Sequence, residues 1–81
     1  MVIEKTVRLT YPQHLLNQPI IYQLIRQFDL LTNILDAQVT GEAGWLILAV
    51  RGEHELVERG LAWVTEQGVQ VEIISEIAEE A

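Results

Sequence analysis

The alternation of apolar and polar residues near the start of the chain predicts a β-strand. In residues 2–10, Ile3, Val7 and Leu9 share one parity, and polar or charged side chains occupy most of the other. Lys5 is the single charged residue among the apolar positions. Such alternation is typical of a strand that has one face in a core and the other face in water.

The next segment has apolar residues at helical spacing and predicts a first helix that ends at about Asp29. Its apolar stripe consists of Ile20, Ile21, Leu24, Ile25 and Phe28. Pro19 lies near the first turn, where its missing N–H leaves no helical hydrogen bond unmade. Asn17 is the expected N-cap, because its side-chain oxygen can accept from a free amide of the first turn.

The rest of the chain predicts a hairpin, a second helix and a last strand. Residues 32–40 and 45–51 form two strands around the loop Gly-Glu-Ala-Gly, whose glycines can take positive φ. Apolar residues at helical spacing then lead to Gly68, which stands where a left-handed residue ends a helix. A final strand covers residues 69–74. Gly60, on the apolar stripe of the second helix, is expected to let that helix approach the sheet closely.

The element order β-α-β-β-α-β indicates an α+β fold of the ferredoxin-like class. Right-handed crossovers arrange it as a four-stranded antiparallel sheet of order 4-1-3-2, with both helices on one face. One domain is placed at residues 1–75, and residues 76–81 are expected to be an acidic C-terminal tail, frayed or weakly helical. A domain of this size buries only about 60% of its unfolded surface, so a dimer would add stability.

The strand parities assign each sheet residue to the helix-covered face or to the open face. Expected under the helices are Val7, Leu9, Leu35, Ala37, Val39, Leu46, Leu48, Val50, Val69, Val71 and Ile73. Expected on the open face are Glu4, Thr6, Arg8, Ile34, Asp36, Gln38, Trp45, Ile47, Ala49, Gln70, Glu72 and Ile74. Asn33 shares the helix-facing parity, where its amide could satisfy backbone groups at the helix-to-strand turn.

The apolar residues expected on the open face are the main candidate for a functional surface. They are Ile34, Trp45, Ile47 and Ala49, from two neighbouring strands. A contiguous apolar patch favours self-association or ligand binding, although scattered surface apolar residues remain the alternative. A second candidate is the loop 10–18, whose free amides at the helix start could hold a carboxylate, against the simpler interpretation of a capped helix.

Charge and composition exclude several kinds of function. The net charge of −7 arises entirely in residues 52–81, and such a surface repels phosphate backbones, which argues against nucleic acid as a partner. The chain has no cysteine, and His14 and His54 lack a second ligand at metal spacing, so neither a metal nor another cofactor is expected. No catalytic constellation stands out, and we expect no enzyme. No apolar run is long enough for a membrane span, which favours a soluble cytoplasmic protein.

Several stretches, in this order, resemble the NIL domain. They are NQPIIYQLIRQF, the tripeptide Asn33-Ile34-Leu35 that names the family, Gly44-Trp45-Leu46, and GEHELVERGLAWVTEQGVQVEII. The similarity covers about residues 3–74. NIL domains are ACT-like regulatory domains that pair and bind methionine in methionine-importer ATPases. They also occur alone in small proteins of photosynthetic bacteria, and beside iron–sulfur ferredoxin modules.

The resemblance implies a homodimer that binds an amino acid such as methionine at or near the sheet or dimer interface. Ile34, Trp45 and Ile47 would cover the apolar side chain of this ligand. Asn33, Asp36 and Gln38 would orient its head group. The alternative is a protein-interaction module without a small ligand, in which the open face or the edge of the second strand contacts an unknown protein partner.

Overall fold

The computed structural model describes the backbone of residues 1–79 and the side chains of residues 1–78. The elements are β1 (Val2–Pro12), a 3-10 turn (Gln13–Leu15), α1 (Ile20–Phe28), β2 (Leu31–Val39), β3 (Ala43–Glu53), α2 (His54–Glu66) and β4 (Gln70–Glu79). In the described part of the chain, neither helix has the length and apolar character to cross a membrane.

The four strands form one antiparallel sheet in the order β2-β3-β1-β4. This is the predicted order counted from the opposite edge, so the ferredoxin-like α+β fold is confirmed. β1 and β3 are the central strands, and β2 and β4 are the two edges.

The hydrophobic core lies between the helices and the central strands. Its fully buried side chains include Val7, Leu9, Leu24, Leu48, Val50, Val57 and Val64. Burying each such side chain contributes roughly 1.5–3 kcal/mol, which makes this layer the main source of stability. The predicted parities of β1 and β3 are therefore confirmed.

β2 lies outside this core on both of its faces. Ala37 and Val39 pair with Leu46 and Gly44 and so have the predicted helix-side parity, yet Val39 is 71% exposed. The reason is that α2 packs over β1, β3 and β4. β2 is an edge strand with an apolar surface left open to solvent.

The last strand is longer than predicted. β4 continues to Glu79, with Glu76 opposite Lys5 and Ile77 opposite Glu4. The expectation of a frayed or weakly helical tail is wrong for residues 76–79, because the start of β1 offers them a pairing partner. Residues 80–81 lie outside the described part of the chain.

The beginning of α1 also differs from the prediction. Its N-cap is Pro19, which makes no side-chain capping hydrogen bond, so Asn17 is not the cap. The end of α1 agrees with the expected boundary: Asp29 adopts φ 52° and its N–H bonds to the carbonyl of Ile25. The hairpin glycines do not take positive φ, whereas Gly68 does, at 104°.

Lys5, the charged residue in the apolar row of β1, is held by two carboxylates. Its ammonium group donates to Glu58 of α2 and lies 3.2 Å from Glu76 of β4. Burial alone would lower the pKa of Lys5, but the hydrogen bonds and charges of Glu58 and Glu76 together raise it. The Lys5 side chain is only 10% exposed, and its ammonium group joins β1, α2 and β4 through partly buried ion pairs.

Gly60 allows a close approach between the helices rather than between α2 and the sheet. A Cβ at this position would lie 2.9 Å from Leu24 Cδ1 of α1 and 3.0 Å from Leu30 Cδ1. Both leucines are buried, so their side chains have little room to move. The expected contact with the sheet is wrong, because the crossing of α1 over α2 is what requires the glycine.

We expect the ion pair of Lys5 and Glu58 to make stability depend on acid pH. The hydrogen bond from Lys5 lowers the pKa of Glu58, further aided by the charges of Lys5 and His54 and opposed by partial desolvation. Because the pKa of Glu58 is lower in the folded than in the unfolded protein, its ionised carboxylate stabilises the fold at pH values above the unfolded pKa. This stabilisation is lost as the pH falls through the folded pKa. Urea unfolding below about pH 4.5 should show a weaker decline for Lys5→Met than for the wild type. Equal declines would contradict this assignment.

Gly60→Ala should destabilise the protein by about 1 kcal/mol. The added methyl group overpacks the site at a cost of roughly 1–3 kcal/mol, and the better helix propensity of alanine returns about 1 kcal/mol. Gly41→Ala is the control, since a Cβ there meets no atom within 4 Å. Urea denaturation measures both variants, and an unchanged or higher stability of Gly60→Ala would contradict the packing argument.

Candidate functional site

An extra residue in β2 changes which side chains occupy the open face. Asn33 is opposite Ala49, and Ile34 is opposite Leu48. The pairing then skips one residue, so that Asp36 is opposite Ile47. The skipped residue, Leu35, forms a β-bulge, in which two residues of one strand face a single residue of the other.

The bulge reverses the predicted orientation of the Asn-Ile-Leu tripeptide. Residues directly opposite each other point to the same face, so Asn33 lies on the open face with Ala49 and not under the helices. Ile34 lies on the helix side with Leu48, but it is 57% exposed because α2 packs over the other three strands. Both predicted placements are wrong for one reason: a count with a period of two fails at an inserted residue.

Leu35, also predicted to face the helices, borders a depression on the open face. The depression has a volume of about 280 Å³, and its lining is Glu4, Leu31, Thr32, Asn33, Leu35, Ala49 and Arg51. Glu4 and Arg51 are directly opposite each other on the two central strands. The depression therefore combines an acid, a base and an amide with apolar walls.

Sequence analysis missed Leu31, Leu35 and Arg51 as residues of this depression. The available signal was the order polar, apolar, apolar, polar in residues 33–36, which breaks strict alternation. With a bulge, Asn33 and Asp36 share the open face. The structure also shows Asp36 Oδ1 accepting a hydrogen bond from the Ala37 amide at 2.9 Å, next to the bulge.

The other predicted site residues share the open face but do not line the depression. Asp36 is opposite Ile47, and Gln38 is opposite Trp45. The guanidinium carbon of Arg8 lies 4.9 Å from the ring centroid of Trp45, in a cation–π arrangement. Trp45 and Ile47 are both partly buried, and the apolar patch expected around Trp45 is therefore smaller than predicted.

The loop that was the second candidate lies at the opposite end of the sheet from Asn33. Pro12, which lies in this segment and ends β1, is opposite Ala43, whereas Asn33 is opposite Ala49 further along β3. The Gln13 side chain donates to the carbonyl of Gly41 at 3.2 Å and ties the loop to the hairpin. Within one subunit, the two candidate sites are therefore separate.

Comparison with known proteins gives a consistent family assignment. A family model of the NIL domain matches residues 5–73. The methionine import ATP-binding protein MetN of Coxiella burnetii is 32% identical over 76 residues, which are 89% of this chain and 22% of that protein. MetN of Helicobacter hepaticus is 38% identical over 58 residues, 67% of this chain and 16% of that protein. The chain thus spans about a fifth of the length of these curated relatives.

A solved structure shows the same fold. The C-terminal domain of an ABC transporter/ATP-binding protein from Enterococcus faecalis superimposes with a TM-score of 0.77 at 21% sequence identity. The match covers 88% of this chain and 83% of that domain. At this level of identity, the similarity concerns the fold alone.

The register of β2 can be tested with engineered disulfides, since the protein has no cysteine of its own. Asn33→Cys with Ala49→Cys should form an intramolecular disulfide on oxidation, because the two positions are opposite each other on one face. Ile34→Cys with Ala49→Cys is the control and should not, because its side chains point to opposite faces. Thiol titration and mass spectrometry measure the outcome. A disulfide in the control pair but not in the first pair would show that Ile34, and not Asn33, shares the open face with Ala49.

Proposed function

Because this chain belongs to the NIL domain family, we propose that it is a non-catalytic regulatory domain that binds an α-amino acid, such as methionine, as a homodimer. The observation that carries the proposal is the depression around Asn33 on the edge strand β2. Its position at an edge means that a second subunit can complete it.

The groups of this depression match the three parts of an amino acid. The Glu4 carboxylate is suited to the ammonium group, and the Arg51 guanidinium is suited to the carboxylate. Arg51 already interacts within the protein, and its five N–H donors leave capacity for a ligand. The Asn33 amide can both donate and accept. Leu31 and Leu35 offer apolar surface for a flexible thioether side chain.

The edge of β2 provides the surface for self-association. An unpaired edge strand is a template for pairing with another chain, and in β2 it carries exposed Leu31, Ile34 and Val39. Two copies related by a two-fold axis would pair β2 with β2 in antiparallel orientation and continue the sheet across the dimer. The apolar surface that α2 leaves uncovered would then become interface.

The two-fold arrangement also brings the remaining candidate residues to the depression. In an antiparallel pair, the first half of one strand lies beside the second half of the other. Asp36 and Gln38 of the partner subunit would then approach Asn33, on the same open face. The loop 10–18 of the partner would come to the same end. The two candidate sites that are separate within one subunit would thus become neighbours.

Methionine is the first ligand to test, because the relatives that share this region are methionine import ATP-binding proteins. Those proteins are several times longer than this chain, and their ATPase activity is not proposed here. The regulatory output would pass to another protein.

A protein-interaction module without a small ligand is the second candidate function. The exposed apolar residues on both edges of the sheet, such as Leu31 in β2 and Ile77 in β4, favour it. The two functions differ at Asn33: loss of its amide would weaken ligand binding but would leave binding of a protein to an apolar edge largely unchanged.

Calorimetry with methionine and Asn33→Ala tests the ligand site. The wild type should release or absorb heat on binding, and Asn33→Ala should weaken the affinity about tenfold, the usual effect of losing a hydrogen bond to a charged group. Gln70→Ala is the matched control: it removes an amide opposite Thr10, on the same face at the far edge. Absence of heat with methionine and with every other standard amino acid would overturn the proposal, as would equal effects of the two variants.

Sedimentation equilibrium with single lysine substitutions tests the dimer. Val39→Lys places a charge on the exposed edge of β2 and should convert the dimer into a monomer. Ile77→Lys places the same charge on the opposite edge, at a residue that is 59% exposed, and should leave the dimer intact. A monomeric wild type, or dissociation by Ile77→Lys alone, would contradict pairing through β2.

A further inference from the structure

We propose that the outer edge of β4 binds an extended, basic segment of a partner protein, which joins the sheet as an additional strand. This surface is at the opposite edge from β2, so the inference is independent of the proposed amino-acid site. It concerns the part of β4 opposite the beginning of β1, residues 75–79.

β4 has the properties of a strand that accepts another strand. It is ten residues long, pairs with β1 along one side, and ends the sheet on the other. Ile73, Ile74 and Ile77 are 50%, 51% and 59% exposed. Edge strands are commonly protected by charged side chains, proline or a bulge, and β4 has glutamates and a bulge but neither lysine nor proline, so its protecting charges are all negative. A bulge at Ile74 interrupts the edge, which is why the added strand is placed after it.

A second depression lies beside this part of β4, and its carboxylates indicate that the partner is positively charged. It has a volume of about 450 Å³ and is lined by Met1, Ile3, Glu53, His54, Glu55, Glu76 and Ala78. Met1, Ile3 and Ala78 contribute apolar lining, and Glu53, Glu55 and Glu76 contribute carboxylates. A lysine or arginine of an added strand could lay its apolar stem against the apolar lining and its charged end among the carboxylates.

The charges around this depression remain negative after internal pairing. The N-terminal ammonium group lies 2.9 Å from Glu53, and Lys5 pairs with Glu58 and Glu76. Glu55, in the first turn of α2, adds a further carboxylate to the lining. The carboxylates here therefore outnumber the two cations, which favours a basic partner.

The same charges disfavour a second copy of this chain as the occupant. Pairing of β4 with β4 would bring Glu72 and Glu76 of one copy close to the same residues of the other. Like charges on neighbouring strands are destabilising. A basic segment of another protein avoids this repulsion and gains the free backbone groups of the edge.

Binding of a labelled synthetic peptide to the full chain tests the proposal. The probe is a fluorescein-labelled peptide that alternates valine with lysine, and the control peptide alternates valine with glutamate. Fluorescence anisotropy should show saturable binding of the lysine peptide, with one peptide per chain, and at least tenfold weaker binding of the glutamate peptide. No saturable binding of the lysine peptide, or equal binding of the two peptides, would overturn the proposal.

Two lysine variants distinguish the β4 edge from general charge attraction. Ile77→Lys should weaken binding of the lysine peptide at least tenfold, whereas Gln27→Lys, which adds the same charge at an exposed position of α1, should leave it within twofold. Equal effects of both variants, or a larger effect of Gln27→Lys, would contradict binding at β4. Self-association of the wild type that Ile77→Lys abolishes would also overturn the proposal, since a second copy would then be the occupant.

Discussion

The register of β2 on β3, with one extra residue at Leu35, is the constraint on which the candidate functional surface depends. Without the bulge, Asn33 and Asp36 would point to opposite faces of the sheet. With it, both lie on the open face, and Leu35 joins Asn33 in the wall of the depression. A bulge in an edge strand is a common device for directing a side chain toward a site. Here it places an amide beside an acid and a base that the central strands supply.

Both edges of the sheet carry exposed apolar residues. α2 packs over β1, β3 and β4, and the buried core follows the two central strands. β2 therefore carries apolar residues that are exposed on either face, while β4 exposes three isoleucines along its length. The two edges differ in charge, because β4 lies beside the carboxylates at the start of α2. This difference is the physical basis for assigning self-pairing to one edge and a basic partner to the other.

The sequence predicted the fold well, because element order and crossover handedness leave few topologies. It also predicted the faces of β1 and β3, where alternation is regular. It failed at Asn33, Ile34 and Leu35, because a bulge leaves little trace in a count of alternating residues. The depression was missed for a related reason: Glu4 and Arg51 are far apart in the chain and meet only through the pairing of β1 with β3.

Two smaller errors have the same origin in tertiary contacts. The end of β4 looked like an acidic tail because its pairing with residues 2–6 is not visible locally. Lys5 interrupts the apolar row of the first strand in the sequence, and its ion-pair partners Glu58 and Glu76 lie far away along the chain. In both cases a partner distant in sequence determines the local structure.

The central claim is that β2 is the edge through which two copies pair and enclose the amino-acid site. Hydrogen–deuterium exchange of the full chain, at low and high protein concentration and with methionine, tests it most directly. The account predicts slower exchange in residues 31–39 at high concentration, slower exchange still with methionine, and no change in residues 70–79. Unchanged exchange in residues 31–39 under all conditions, or protection of residues 70–79 instead, would contradict it.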